Sequence, residues 1–283
     1  MKKIITLILV AMLSIVACVS MAGCQKEDNK PVVLNDIALI QEQYGIAAKK
    51  SNEALISKIN EALIAIANDE MITVANNYGL KSELAVTASS TNPLASATDS
   101  SWTDLVARNK VVIGYTVFAP IAYDVVDEVP TKGFDIELAK AVFDYLNETY
   151  NTNVVIEFLE IQWSAKEAML DGNSIDLVWN GLTITDDRLE NMCISIPYLN
   201  NKQVAVVMSK NAEKFSTIEK MADAITGAED GSAGEEQIAE KQIGKEYIKC
   251  ASQLEAFQKL KTGTLEVIVI DSVMANYYIS LEK

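Results

Sequence analysis

The sequence predicts an α/β protein in which parallel-rich sheets are wrapped by helices. From Lys110 onward, short apolar β-branched runs alternate with amphipathic helical stretches, the rhythm of repeated strand–helix–strand units. The helical stretches close on turn residues, as at Asp171-Gly172 and Lys261-Thr262-Gly263. The chain has 283 residues, of which 49% are hydrophobic and 22% charged. That is ordinary globular composition, with length for about two domains.

Residues 1–23 read as a secretion signal. Lys2 and Lys3 form a basic start, and Ile4 to about Val19 an apolar stretch too short to span a membrane comfortably. Met21-Ala22-Gly23-Cys24 resembles the site where bacterial lipoproteins are cut and lipidated. Ile15-Val16-Ala17-Cys18 fits the same pattern, but polar sequence begins directly after Cys24, so Cys24 is the expected anchor. More than one acyl chain would hold the protein stably at the membrane. Residues 24–31 form a tether.

Val32 to Ile40 reads as a strand. Ser51 to about Asn68 reads as a helix, with Leu55, Ile56, Ile59, Ala62, Leu63 and Ile66 on one face. Ser51 is its expected cap. Asp69 to Asn77 is a second short helix ended by Tyr78-Gly79. Residues 87–101 are rich in Thr, Ser, Ala, Asn and Pro and read as a flexible linker spanning roughly 20 Å. Val111 to Tyr115, Val154 to Ile161, Ile175 to Trp179, Gln203 to Met208 and Leu265 to Ile270 are strands. Helices are expected over Asp135–Leu146 (Asp135 as cap), Ser164–Leu170, Ser216–Ala222, from Ser232, Gln253–Leu260 and Val273–Ile279.

The richest stretch is Trp179-Asn180-Gly181-Leu182-Thr183-Ile184-Thr185-Asp186-Asp187-Arg188. Gly181 exposes backbone, Thr183 and Thr185 supply hydroxyls, and Arg188 offers a planar fork suited to a carboxylate. Strand ends of this kind are where open α/β sheets place ligands. The plain alternative is a strand-to-helix turn with Asp186 as cap. Asp271 ends the most apolar strand, as a helix cap or as a partner for a cation. Ser232-Ala233-Gly234-Glu235 is a capping box, and a helix start can also hold an anion. Tyr115, Phe118 and Trp163 are core or pocket aromatics.

Several classes are excluded. There is no histidine, so no histidine triad or histidine metal site exists. Cys18, Cys24, Cys193 and Cys250 have no metal-type spacing, and nothing in it supports a Cys193–Cys250 bridge. No phosphate-loop or dinucleotide fingerprint occurs. A net charge of −15 argues against binding nucleic acid. No metal, no cofactor and no catalytic residue is expected.

Residues 110–283 resemble the polar amino-acid-binding proteins that serve ABC importers, the family 3 extracellular solute-binding proteins. The resemblance rests on Val112-Ile113-Gly114-Tyr115 through Phe118-Ala119-Pro120, Gly133-Phe134-Asp135-Ile136-Glu137-Leu138-Ala139, Trp163, Leu170-Asp171-Gly172, Ile175-Asp176, Asn180 to Arg188, Ser195-Ile196-Pro197-Tyr198, Gly231 to Glu235 and Ile270-Asp271. It implies a two-lobed type II periplasmic-binding-protein fold with two hinge crossings and an interlobe cleft. The family's usual C-terminal finish stands here at the front, as Glu42-Gln43-Tyr44-Gly45-Ile46-Ala47-Ala48-Lys49-Lys50 and the Ser51 helix. The chain therefore looks circularly permuted, with 87–101 joining the usual termini. Lobe 1 is then 44–198, and lobe 2 is 199–283 plus 32–43, with crossings near Tyr44–Ala47 and Pro197–Asn201.

The resemblance also implies roles. Arg188 holds an α-carboxylate, helped by Thr183 or Thr185 and by Ser232. Asp271 and the Gly181 carbonyl hold the α-ammonium. Phe118, Tyr115, Trp163 and Asn180 surround the side chain. The implied function is extracytoplasmic capture of an amino acid for an ABC permease, by a lipid-anchored monomer. Two alternatives stand beside it: a dehydratase of aromatic-pathway acids, and a sensory module without a transporter. No acidic residue is clearly placed to select a basic side chain.

Overall fold

The computed structural model describes residues 29–37 and 39–282. The signal segment, Cys18 and Cys24 lie outside them. The chain begins with β1 (Pro31–Val33), β2 (Gln41–Lys49), α1 (Glu53–Ala65), α2 (Glu70–Asn77) and α3 (Ser101–Arg108). It continues with β3 (Lys110–Tyr115), β4 (Tyr123–Val126), β5 (Val129–Lys132), α4 (Phe134–Tyr150), β6 (Val155–Glu160), α5 (Lys166–Asp171), β7 (Leu177–Thr183) and α6 (Asp186–Asn191). It ends with β8 (Met192–Ile194), β9 (Leu199–Met208), β10 (Ile225–Glu229), α7 (Ala233–Lys241), β11 (Glu246–Cys250), α8 (Gln253–Thr262), β12 (Val267–Asp271) and α9 (Ser272–Leu281).

The strands run β11-β10-β12-β9-β2-β7-β3-β6, with β1 added on β9 and β8 on β2. Each half of this order has parallel pairs: β10 with β11 and β12, and β3 with β6 and β7. The halves meet where β2 and β9 pair antiparallel, Gln41 opposite Lys202 through Tyr44 opposite Leu199. Both strands then leave that pairing, β2 for β7 and β8, β9 for β12 and β1. This is the expected two-lobed α/β architecture, with both connections side by side. The crossings fall at Gln41–Tyr44 and Leu199–Lys202, a few residues from the expected positions.

Burial explains the two helical faces nearest the crossings. Leu55, Ile56, Ile59, Ala62 and Leu63 of α1 are buried as the periodicity requires, and α1 packs on α4 and β2. On α4, Leu138, Val142 and Leu146 point into the same core. In the other half, Val267, Val269, Ala205 and Val207 form an apolar layer with Phe215 and Ile238. Val32, Leu34, Ile37 and Leu39 pack against that layer, although of the expected 32–40 strand only Val32 and Val33 lie in a paired strand, Pro31–Val33.

Several local expectations fail, and at the start of α1 a distant group supplies what the local sequence seemed to offer. Asn52, not Ser51, precedes α1, and it makes no side-chain cap bond. The first-turn N–H groups of Ala54 and Leu55 donate instead to Asp99 Oδ2 (2.7 Å) and Ser101 Oγ (2.9 Å). The 87–101 segment is therefore docked on α1 rather than free, and Asn92 Nδ2 adds a bond to the Ser57 carbonyl at 2.9 Å. Asp135 does not cap α4; Gly133 precedes the helix. The Asp135 carboxylate is buried, where it accepts from the Gly181 N–H and the Tyr198 hydroxyl, both at 2.8 Å. The expected 216–222 helix is a single short turn at Glu219–Met221. The β4–β5 hairpin, α3, β10 and β11 were not expected. Cys193 and Cys250 are both free and buried.

Candidate functional site

Strands β7, β10 and β12 end toward one narrow pocket between the two halves of the sheet. It is lined by Phe118, Trp163, Asn180, Gly181, Thr183 and Arg188 from one half, and by Glu229, Ser232, Ala233, Gln253 and Asp271 from the other. All seven residues of β7 are buried, which fixes Asn180, Gly181 and Thr183 as rigid lining. Gly181 has φ 65°, and a Cβ there would stand 2.7 Å from the Phe118 ring. Only glycine keeps both that backbone turn and the aromatic wall.

Arg188 lies in the first turn of α6 and is 3% exposed. Its Nη1 donates to the Thr183 carbonyl at 2.8 Å, and its Nη2 to the Gly231 carbonyl of the opposite half at 3.2 Å. The guanidinium thus spans the cleft. Beside it, Ser232 caps α7 by accepting from the Glu235 N–H at 3.2 Å, while Glu235 accepts from the Gly231 N–H at 2.6 Å. The first-turn N–H groups of α7 have no acceptor within the helix, so this corner favours a negative group.

The opposite pole is Asp271. Four side-chain donors converge on it: Tyr44 Oη and Asn201 Nδ2 at 2.5 Å, Gln203 Nε2 at 3.1 Å, and Gln253 Nε2. Three of them use Oδ1, so Oδ2, which takes only Gln253, retains acceptor capacity toward the pocket. Glu42 sits behind. It accepts from Asn201 (2.5 Å), Gln203 (2.9 Å) and the Thr183 hydroxyl (3.1 Å). Burial, reinforced by the Asp271 charge, raises the Glu42 carboxyl well above the usual range.

Opposite charges at two ends of a small buried pocket suit a zwitterion, the carboxylate at Arg188 and the ammonium at Asp271. Residues 111–274 match the model of the bacterial extracellular solute-binding proteins, family 3. The chain belongs to that family.

Among curated proteins, the chain is 31% identical over 151 residues to a probable histidine-binding protein of Neisseria gonorrhoeae, covering 52% of this chain and 53% of that one. The chain spans about half the length of the curated relatives it matches. A substrate-binding protein of an ABC uptake transporter from Streptococcus pneumoniae, solved with histidine, superposes with TM-score 0.58 and 30% identity, covering 66% of this chain and 75% of that one. An ancestral amino-acid-binding protein described as a precursor of cyclohexadienyl dehydratase gives 0.57 and 27%, covering 63% and 77%.

Eight of the ten residues singled out from the sequence line the pocket: Arg188, Asp271, Thr183, Gly181, Ser232, Phe118, Trp163 and Asn180. Two do not. Thr185 is the cap of α6, its hydroxyl accepting from the Arg188 N–H at 3.2 Å, which also displaces Asp186 from that role. Tyr115 is buried beside Ala122, Ile136 and Phe158, its hydroxyl turned to the Glu128 carbonyl at 3.3 Å.

Glu229, Ala233 and Gln253 line the pocket unforeseen, and Glu42 and Tyr44 support it. A period-two signal for the last pair was present, since Glu42 and Tyr44 are buried and Gln41 and Gln43 exposed. For Glu229 the missing signal was the strand itself: Ile225–Glu229 carries a threonine, a glycine and a glutamate and gives no apolar run.

Proposed function

We propose that this chain captures an amino acid, or a similar small zwitterion, outside the cytoplasm and delivers it to the permease of an ABC importer. The observation that carries the reading is the pairing of Arg188 and Asp271 across one pocket, each contributed by a different half of the sheet. Using both halves for one ligand couples binding to closure of the cleft by hinge motion at the β2 and β9 crossings. Lipid attachment at Cys24 and a monomeric state belong to the same reading. Lobe 1 is residues 44–198 and lobe 2 residues 199–283 with 32–43.

The chain is read as a circular permutant. Support comes from β2, which enters from the front of the chain yet pairs between β9 and β7, and from the 87–101 segment, which runs from the end of the α1–α2 pair to α3 along α1. Deleting residues 32–40 should then lower both thermal stability and ligand affinity, because Val32, Leu34, Ile37 and Leu39 cover the core of the second lobe. Unchanged stability and affinity would overturn the permuted unit.

The test of the function is a thermal-shift screen of the proteinogenic amino acids, followed by calorimetry on the best. At least one should raise the melting temperature, and Arg188→Ala should abolish the shift. No response to any amino acid, or parental behaviour of Arg188→Ala, would defeat the reading. The chain is read as a binder and not an enzyme; turnover of prephenate or arogenate in the same preparation would reverse that.

A further inference from the structure

Among the residues lining the pocket, Glu229 alone is a carboxylate with an oxygen that nothing holds. It ends β10, is 4% exposed, and its Oε1 has no hydrogen-bond partner. A buried acceptor left open costs roughly 1–3 kcal/mol, more for a charged group. Such a group persists where something else completes it.

The other polar atoms of the pocket show what that something is. Away from the Arg188 and Ser232 corner, three side-chain donors are already used: Gln253 Nε2 on Asp271, Asn180 Nδ2 on Thr116 Oγ1 at 3.0 Å, and the Thr183 hydroxyl on Glu42. Lys166, next to the pocket, points its ammonium at the Gly231 carbonyl (3.1 Å) and the Trp163 carbonyl (3.4 Å). The buried pocket atoms left without a partner are both acceptors, Glu229 Oε1 and Asn180 Oδ1. The aromatic side chains of Phe118 and Trp163 also line the pocket, and Trp163 already has a cation 5.0 Å from its ring centre in Lys166. Open acceptors beside aromatic side chains suit a cationic group.

We propose that Glu229 reads the ligand's side chain, and that the ligand is an amino acid with a cationic, donor-bearing side chain. This rests on the amino-acid-binding function proposed above and names the class within it. Aliphatic side chains would leave Glu229 and Asn180 unpaired. Acidic ones would bring a like charge up to Glu229 and Asp271 and be rejected.

The electrostatics of the pocket agree. Burial, then the charge of Asp271, push the Glu229 carboxyl up to about 8, with Lys166 opposing and Asp230 adding to the rise. Burial, with Arg188 beside it, lowers the Lys166 ammonium to about 8. Glu229 is then mostly protonated at neutral pH, and a cation arriving beside it expels that proton.

Calorimetry with arginine, lysine, histidine, leucine, glutamine and glutamate tests this on the parent and on Glu229→Gln, whose melting curve first shows it to be folded. The parent should prefer a cationic amino acid, and arginine or lysine should release close to one proton at pH 7, read from the buffer dependence of the heat. Glu229→Gln should lower the affinity ratio of that ligand over leucine on the order of 100-fold and abolish the proton release. Tightest binding of a neutral or acidic amino acid, or an unchanged ratio in the variant, would overturn this inference while leaving amino-acid binding intact. Binding of no amino acid at all would overturn both.

Discussion

Strands β12 and β10 are parallel neighbours, and each ends in a buried carboxylate facing the same pocket. Their surroundings differ. Asp271 is held by four side-chain donors drawn from β2, β9 and α8. Glu229 keeps an oxygen that nothing holds. A carboxylate supplied with donors is held in place, ready for an invariant group such as an ammonium. One with an open oxygen, as at Glu229, is pushed by burial toward its protonated form and waits for its partner. One pole therefore recognises what all amino acids share, and the other distinguishes among them.

The largest effect should come from Asp271→Asn, which leaves the ligand ammonium buried without a counter-charge. The expected loss is on the order of 100-fold or more in affinity for every amino acid that binds, measured by calorimetry. A uniform loss would sharpen the contrast with Glu229, whose substitution should change selectivity; a selective loss at Asp271 would break it.

Next in size is the pH dependence of the unliganded protein. Burial raises Glu229 to about 8 and Asp135 to about 7, and Glu42 rises as well. Unfolded carboxylates lose their protons near pH 4, so between about pH 4 and pH 8 the folded state binds more protons, and stability must fall as pH rises. Surface acids with lowered values, such as Asp230 beside Lys249, act in the opposite sense, but below about pH 4. The melting temperature should therefore be higher at pH 5 than at pH 8, and Glu229→Gln should flatten the slope. A slope unchanged in that variant would show Glu229 to be ionised without a ligand.

Smaller still, Tyr44→Phe removes one of the donors to Asp271 and should cost about 1–3 kcal/mol in urea unfolding, with the order of amino-acid preference preserved. The smallest effect belongs to Tyr115→Phe. Its hydroxyl faces the Glu128 carbonyl and not the pocket, so affinity should stay within about twofold, as expected for a change away from the site. A tenfold loss there would restore Tyr115 to the ligand shell.

Much of this was legible before the fold. The buried face of α1, the capping box at Ser232 and the apolar strand ending at Asp271 follow from spacing that secondary structure reads directly. Misreadings occurred where a distant group competed with a local one. Ser51 has the chemistry of a cap, but Asp99 and Ser101 perform it from the far end of the linker. Asp135 likewise has a cap's chemistry, yet it ties α4 to β7 and to Tyr198. At α6 the error was two side chains with equal claims, Thr185 and Asp186, and only backbone geometry decided between them.

The sequence by itself determined the alternation of strands and helices, the family, and the two poles of the pocket, because periodicity, turn chemistry and residue type are local properties. Tertiary structure decided which carboxylate is satisfied and which is open. The donors on Asp271 come from between 18 and 227 residues away along the chain, and the burial that lifts Glu229 is contributed by both halves of the sheet. Desolvation and hydrogen-bond satisfaction depend on what surrounds a group in space, and no stretch of sequence around Glu229 carries that information.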